Sequence, residues 1–377
     1  MFKAISLISL LISVLISILY ACSDHQQKEC DLKAEGRKVS MNYASLFSVY
    51  DNENQYFLTI NKSWDTKEQK HYLFATNVES KNCYNSLTIP CKRVIVFSAT
   101  HLYMIDTLKE TNSIIGISNK NYTASKKIHE RITSGHIKEL GDFENCDVEK
   151  IISLSPDLII VSGTGKDHTK IEQLEKAGIT VIENVEWMEN HPLGRAEWIK
   201  VFGLIFNKFE LADKIYNGIQ KNYQRLKSKA EKLNPGPEII YSRSYGSTWY
   251  IPGQNSFIGQ ILKDAKLPYP WDENSSAGSI SYDLEIIVEK QINDSIWISP
   301  ESSSLTELRE ADSRHELFEA YKKGLVFHYD RKKGVNGMTE YWEKSVLRCD
   351  WILSDFINIT RKGQYTDSLY FFRKLEP

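Results

Sequence analysis

Aromatic and polar side chains cluster in the loops that follow the predicted β-strands of this chain. Short apolar runs predict strands that end at positions 97, 117, 161, 182, 241 and 298. In an open α/β sheet, the loops beyond the carboxyl ends of the strands form the ligand site. Aromatic walls with a few polar anchors suit a large, flat and partly apolar ligand. The candidate ligand-binding residues are Thr100, His101, Tyr122, Trp187, Tyr245, Trp249 and Tyr250, with Trp271 and Trp342 behind them.

Arg195 is the candidate with a permanent charge. Its guanidinium can clamp a carboxylate-rich ligand through two parallel hydrogen bonds. It can equally form a structural ion pair with Glu197 or Glu186. The sequence therefore predicts either a ligand anchor or a structural contact at position 195.

Catalytic motifs are absent from the sequence. The chain contains no G-x-S-x-G nucleophile elbow and no H-E-x-x-H zinc helix. The run Gly163-Thr164-Gly165-Lys166 is similar to a phosphate-binding loop, but Asp167 stands where a Ser or Thr is needed and would repel phosphate. We therefore predict that the chain is not an enzyme and uses no cofactor.

Composition excludes a nucleic-acid partner and indicates more than one core. The formal net charge is −2 at pH 7, and no basic run could follow a phosphate backbone. A chain of 377 residues is too long for one ordinary hydrophobic core and suits two lobes.

A repeated pattern supports the two lobes. In the segments 147–162 and 283–299, an Asp-apolar-Glu sequence opens a short helical pattern, and a later Asp leads into an apolar run that ends in Ser. Such a run is typical of a buried parallel strand. We therefore predict an α/β fold of two Rossmann-like lobes joined by one long helix, with a β-rich N-terminal extension.

The N-terminus resembles a bacterial lipoprotein signal. A positive residue, Lys3, precedes an apolar stretch, and a small residue precedes Cys22. We expect residues 1–21 to be the signal peptide, Cys22 to carry the lipid and residues 22–37 to form a tether. The protein is then extracytoplasmic and anchored to a membrane, in the periplasm or at the cell surface.

Periodicity and punctuation divide the remaining chain into four parts. Residues 38–91 alternate as short strands and are predicted to pack as an extension on lobe 1, which spans 92–190. A linking helical segment spans 191–234, with a possible break near Asn207, and lobe 2 spans 235–377.

The cysteines indicate at most one disulfide. Five remain after Cys22, and an odd number cannot pair completely within one exported chain. A bridge between Cys83 and Cys91 is possible because both flank a predicted turn. The others, Cys30, Cys146 and Cys349, are predicted to be buried thiols.

Several segments together resemble the substrate-binding lipoproteins of ABC importers for iron complexes and cobalamin. The resemblance covers about residues 90–360 and rests on the lipobox, the long linking helix and the segments 93–101, 154–159 and 249–257. The opening of the linking helix at 193–198 is similar to a subgroup with a β-rich extension. This resemblance implies a non-enzymatic monomer that binds a chelated metal, such as a ferric siderophore, haem or cobalamin, and delivers it to an ABC permease dimer.

The resemblance also gives the repeated pattern a role. In the family, one exposed glutamate at a helix start on each lobe pairs with arginines of the two permease subunits. Glu149 and Glu285 match those positions. Carboxylates at helix N-termini are also favoured by the helix dipole, so each could instead simply cap its helix.

Two other functions compete with this interpretation. Related lipoproteins bind free zinc or manganese, and His101, with His136 and His168, could supply ligands. The chain could also be a lipid-anchored hydrolase, or a surface lipoprotein that grips a partner.

Overall fold

The computed structural model describes eight stretches of the chain, namely residues 36–53, 55–61, 69–77, 85–163, 168–245, 248–271, 275–361 and 369–377. The predicted signal peptide and lipidated Cys22 lie outside these residues, as do Cys30 and Cys83. Among the described helices, none is both long and apolar enough to cross a membrane.

The N-terminal extension is a five-stranded sheet in the order β1-β2-β3-β4-β5. Its strands are β1 (Arg37–Val39), β2 (Phe47–Asn52), β3 (Gln55–Ile60), β4 (Lys70–Ala75) and β5 (Ser86–Thr88). The first four strands pair antiparallel, and β5 pairs parallel with β4. In β2 the burial of successive residues alternates at first, because one face of the strand packs on the core and the other is partly open.

The extension contacts the next part of the chain directly. The Tyr72 hydroxyl donates to the Val181 carbonyl at 2.9 Å, and the Lys70 ammonium lies 2.7 Å from the buried carboxylate of Glu183. These contacts attach β4 to the edge strand of the following sheet.

Lobe 1 is built on a parallel sheet in the order β10-β9-β6-β7-β8. Its strands are β6 (Val94–Val96), β7 (Ile114–Ile117), β8 (Lys138–Glu139), β9 (Leu158–Ser162) and β10 (Thr180–Asn184). Its helices are α1 (Ala99–Thr107), α2 (Lys126–Thr133), α3 (Val148–Ser153) and α4 (His168–Lys176). The apolar runs predicted as strands are buried, as expected for a sheet covered on both faces.

The linking segment consists of three consecutive helices, α5 (Pro192–Glu197), α6 (Ile199–Ile205) and α7 (Phe209–Glu231). Pro192 occupies the first turn of α5, where its missing N–H costs nothing. Asn207 has a φ of 52°, and this left-handed residue separates α6 from α7. The break near Asn207 and the long second helix therefore occur where the sequence pattern predicts them.

Lobe 2 contains two small sheets. The first has the order β11-β15-β16-β17, with only β17 antiparallel, and the second is the antiparallel sheet β12-β13-β14. The strands are β11 (Ile240–Tyr241), β12 (Arg243–Tyr245), β13 (Thr248–Pro252), β14 (Ser279–Asp283), β15 (Trp297–Ile298), β16 (Val326–His328) and β17 (Arg373–Lys374). The helices are α8 (Phe257–Asp264), α9 (Leu284–Gln291), α10 (Leu305–Ala311), α11 (Glu319–Lys322), α12 (Tyr341–Lys344) and α13 (Cys349–Arg361).

The repeated sequence pattern corresponds to a repeated structure. In each lobe an aspartate directly precedes a short helix, Asp147 before α3 and Asp283 before α9, and a strand of the parallel sheet follows. Glu149 and Glu285 are both the second residue of their helices, and both are exposed. The prediction of two similar α/β lobes is confirmed.

Three cysteines of the described residues are buried free thiols, namely Cys91, Cys146 and Cys349. Cys91 packs in the main core, with its Sγ 3.8 Å from the Thr88 carbonyl oxygen. The predicted bridge to Cys83 is therefore not seen at Cys91, whose burial favours an apolar thiol contact.

Candidate ligand-binding cleft

A cleft of about 830 Å³ lies between the two lobes, beside the start of the linking segment. Lobe 1 contributes Thr100, which follows β6, and Trp187 and Met188, which follow β10. Lobe 2 contributes residues of β13, α8 and α12. The cleft thus lies beyond the carboxyl ends of lobe 1 strands, where open α/β sheets place ligands.

Three predicted aromatic residues line this cleft. Trp187 lies in the 3-10 turn Glu186–Met188, Tyr250 lies on β13, and Trp342 lies on α12. Tyr250 is 41% exposed and Trp342 is 37% exposed, although large aromatic side chains are usually buried. Their exposure at the cleft is the property expected of a ligand-binding wall.

Trp249 does not line the cleft, so its predicted role is wrong. The indole is fully buried in the core of lobe 2, where it stacks on Trp297 and Phe318 at centroid distances of 5.0 and 5.5 Å. Successive side chains of a strand point to opposite faces. Because Tyr250 faces the cleft, its neighbour Trp249 must face the core.

Trp271 is likewise a core residue and not a cleft residue. Its side chain is buried in the same core, and Nε1 donates to Gln291 Oε1 at 3.1 Å. The ring also lies 4.9 Å from the ammonium of Lys290. These contacts satisfy the indole inside lobe 2.

Arg195 lies in the cleft wall and keeps its charge. Its Nε donates to the Glu189 carbonyl oxygen at 3.1 Å, and its guanidinium carbon lies 4.8 Å from the centroid of the Phe257 ring. Burial lowers the pKa of Arg195 to about 10, although Glu186 and Glu189 oppose this shift. The guanidinium is therefore charged at neutral pH.

The structural ion pairs proposed for Arg195 are not formed. Within the described residues, neither Glu186 nor Glu197 pairs with it: Glu186 accepts from Thr100 Oγ1 at 3.1 Å, and Glu197 pairs with Lys200 Nζ at 2.9 Å. Arg195 is also the only charged residue among the described residues that line the cleft. This arrangement favours the ligand-anchor interpretation.

His101 lies behind the cleft instead of in it. Its ring is fully buried, with Nε2 3.4 Å from the Glu186 carboxylate and the ring centroid 5.6 Å from that of Phe202. Burial alone would raise the pKa of Glu186, but His101 and Thr100 hold that pKa below its usual value. His101 and Thr100 thus contact the same carboxylate, and of the two only Thr100 is among the cleft-lining residues. The predicted contact of His101 with the ligand is wrong.

Among the described residues, no free-metal site is assembled around His101. His136 Nδ1 lies 2.8 Å from Ser134 Oγ at the surface, and the side chain of His168 lies outside the described residues. Over the part of the chain that the structure describes, no group of three or more His, Cys, Asp or Glu residues could hold a metal ion.

Two further predictions are left without support from the described cleft residues. Tyr122 is exposed in the 3-10 turn Lys120–Tyr122, but it is not among the lining residues. The side chain of Tyr245 lies outside the described residues.

Several lining residues were not predicted from the sequence, namely Met188, Asn190, Tyr241, Phe257 and Tyr341. Tyr241 is the last residue of a strand that the apolar pattern predicts, so its place at the carboxyl end of that strand could have indicated a ligand contact. Phe257 and Tyr341 lie on helices, whereas the predicted site was drawn from the loops that follow the strands.

The two candidate docking glutamates differ in their surroundings. Glu149 is exposed on α3, and Asp147 caps that helix by accepting from the backbone N–H of Glu149 at 2.9 Å. Glu285 is exposed on α9 and lies 3.2 Å from Arg314 Nη1. An exposed ion pair of this kind is weak and easily exchanged for another partner.

Comparison with known proteins identifies the fold and the family. The family model described as "Periplasmic binding protein" matches residues 94–332. A lipoprotein of Methanocaldococcus jannaschii is 28% identical over 306 residues, which cover 77% of this chain and 70% of that protein.

Two solved structures share the fold. The petrobactin-binding protein YclQ of Bacillus subtilis has a TM-score of 0.57 at 18% identity, covering 80% of this chain and 98% of that one. A periplasmic haem-binding protein of Pseudomonas aeruginosa has a TM-score of 0.57 at 13% identity, covering 76% and 99% respectively. The family model matches well over half of this chain. The chain therefore belongs to the periplasmic binding protein family, whose members bind solutes and are not enzymes.

Proposed function

We propose that this protein captures a chelated metal complex in the cleft between its lobes and delivers it to an ABC permease. The observation that carries the proposal is the composition of the cleft wall. Trp187, Tyr250 and Trp342 expose aromatic surface, and Arg195 adds one positive charge.

The ligand class follows from this wall. A volume of about 830 Å³ is near the upper end of the usual range for small-molecule sites, which is roughly 300–1,000 Å³. Indole and phenol rings bind flat or aromatic surfaces, and a guanidinium binds carboxylate or phenolate oxygens. A ferric siderophore, haem or cobalamin combines such a surface with a metal that is already coordinated.

The relatives support the same class. YclQ is named a petrobactin-binding protein, and the Pseudomonas aeruginosa protein is named a haem-binding protein. Neither name decides between the three ligands for this chain, because identities of 13–18% transfer the fold alone.

Delivery is proposed to use Glu149 and Glu285. Both are exposed second residues of short helices at equivalent places in the two lobes. Charges at the rim of an interface steer association and fix its register. We further propose that Cys22 carries a lipid that holds this monomer at the outer face of the membrane, as the lipoprotein names of relatives suggest.

The test is a titration of purified protein that lacks residues 1–22. Ferric petrobactin, haemin and cyanocobalamin are each added while tryptophan fluorescence is recorded, because Trp187 and Trp342 line the cleft. The proposal predicts saturable quenching by one of them. Flat fluorescence with all three, together with quenching by zinc or manganese, would favour free-metal binding instead.

A further inference from the structure

A short segment of the N-terminal extension lies against the back of the cleft. Residues 42–46, here called the strap, connect β1 to β2. The strap precedes residues 94–332, so it lies outside the part of the chain that the family model matches. Its five backbone N–H groups nevertheless all donate to Glu197, in the first helix of the linking segment, or to Glu189, just before that helix.

The buried carboxylate of Glu197 holds the first half of the strap. It accepts from the backbone N–H groups of Asn42, Tyr43 and Ala44 at 3.0, 2.8 and 2.9 Å. Lys200 Nζ also lies 2.9 Å from this carboxylate. Glu197 is fully buried, so these donors replace the water that an ionised carboxylate requires.

Glu189 holds the second half in the same way. Its carboxylate accepts from the backbone N–H groups of Ser45 and Leu46, both at 3.0 Å, and from the Ser45 hydroxyl at 3.0 Å. Trp198 Nε1 donates to the same carboxylate at 3.2 Å. Glu189 is 2% exposed, so loss of the strap would leave a buried carboxylate without most of its donors.

The strap also fits closely against α5. A Cβ atom at Gly194 would lie 3.1 Å from the Tyr43 carbonyl oxygen, so glycine allows this approach. The Tyr43 ring packs on His191 at a centroid distance of 4.3 Å, and its hydroxyl accepts from Gln224 Nε2 at 3.0 Å.

The segment held by the strap is the wall that faces the ligand. The cleft is lined by Trp187, Met188, Asn190 and Arg195. Glu189 lies between Met188 and Asn190 in the sequence but is not itself a lining residue. The side chain of Glu189 points to the strap while its carbonyl oxygen accepts from Arg195 Nε at 3.1 Å. One residue therefore connects the strap to the charged anchor of the cleft.

We propose that the strap, acting through Glu189 and Glu197, positions Trp187 and Arg195 for ligand binding. The N-terminal extension then contributes to ligand binding and does not merely pack on lobe 1. Glu189 and Glu197 are positioning residues, since neither lines the cleft. The inference rests on the proposed function only where ligand affinity is measured.

The test uses the full mature chain with two variants and a control. Glu197→Gln keeps the size of the side chain but replaces one carboxylate oxygen by an NH2 group. That NH2 group then faces either the strap N–H groups or the Lys200 ammonium, which are donors and cannot accept a hydrogen bond from it. Ser45→Pro acts from the strap side, because it removes both the backbone N–H and the hydroxyl that donate to Glu189. Glu210→Gln changes an exposed carboxylate of α7 and serves as the control.

Two readouts separate positioning from general destabilisation. Hydrogen exchange is compared between residues 186–196 and α13, and affinity is measured with whichever of ferric petrobactin, haemin and cyanocobalamin quenches the wild type. Both variants should exchange at least about tenfold faster in 186–196 with α13 unchanged, and should bind the probe at least about tenfold more weakly. The control should match the wild type in both.

Each other outcome overturns a specific part of the inference. Equal acceleration in 186–196 and α13 would make the strap a general stabilising contact. Faster exchange in 186–196 with wild-type affinity would show that the wall does not need the strap for binding. If no probe binds the wild type, the proposed ligand class fails, and unchanged exchange in 186–196 would still refute the positioning role.

Discussion

At the scale of residues, Trp249 and Tyr250 are neighbours on β13 with opposite environments. Trp249 is enclosed by Trp297, Phe318 and His315, whereas Tyr250 is 41% exposed at the cleft. A buried aromatic side chain contributes to stability, and an exposed one at a cleft contributes to binding.

Truncation of these two residues should therefore have different effects. We expect Trp249→Ala to lower the free energy of unfolding by about 3–5 kcal/mol, since it leaves a large cavity. We expect Tyr250→Ala to change that free energy by about 1 kcal/mol or less. Urea denaturation followed by circular dichroism measures both values. A stable Trp249→Ala protein with weakened ligand binding would contradict this assignment.

Arg195 should control the affinity for an anionic chelate. Arg195→Met keeps the length and apolar stem of the side chain but removes its charge, and it should weaken binding of the chelate by at least about tenfold. In the wild type the charge is present below a pKa of about 10 and is lost above it. The affinity should therefore stay level between about pH 6 and 8, which calorimetric titration can follow. Lys290→Met, a change in lobe 2 outside the cleft, should leave affinity unaltered.

At the scale of elements, α3 and α9 present the two candidate docking carboxylates. Charge reversal of both, Glu149→Arg with Glu285→Arg, should abolish uptake in cells while ligand affinity and thermal stability stay close to wild type. If the permease presents arginines at these two places, as proposed, the new positive charges would repel them. Glu172→Arg on α4 and Glu289→Arg on α9 form the matched control, as both are exposed at other helix positions. Normal uptake by the docking variant would remove the assignment.

The sequence predicts these elements better than it predicts the faces of their side chains. Pro192, the left-handed Asn207 and the apolar runs of β9 and β15 are local signals, and the elements form where those signals occur. The face of Trp249 depends on the pairing of β13 with β12 and β14, which no local pattern fixes. The bonds from the strap to Glu189 join residues 144 apart in the chain, so they too were beyond prediction.

At the scale of the whole molecule, the lobes also touch away from the linking segment. Glu343 of lobe 2 accepts from Thr123 Oγ1 at 2.5 Å and from the Ala124 backbone N–H at 2.9 Å, both in lobe 1. A Cβ at Gly334 would lie only 2.2 Å from the Ala124 carbonyl oxygen. This second contact should limit how far the lobes can open.

Gly334→Ala tests that restriction. The added methyl meets backbone atoms that cannot move aside, so the lobes should separate and the radius of gyration measured by X-ray scattering should increase. Gly218→Ala, on the exposed side of α7 where a Cβ meets nothing within 4 Å, is the control and should leave the radius unchanged. An unchanged radius in Gly334→Ala would mean that local shifts absorb the methyl.

We propose that the cleft binds a metal that is already chelated, and this proposal can be tested directly. The most direct measurement is the visible absorption spectrum of the protein purified from its own cells, combined with elemental analysis. We predict an absorption band of a bound iron or cobalt complex in the wild type that is reduced in Arg195→Met. A protein without visible absorption that carries one zinc or manganese ion per chain would contradict the account.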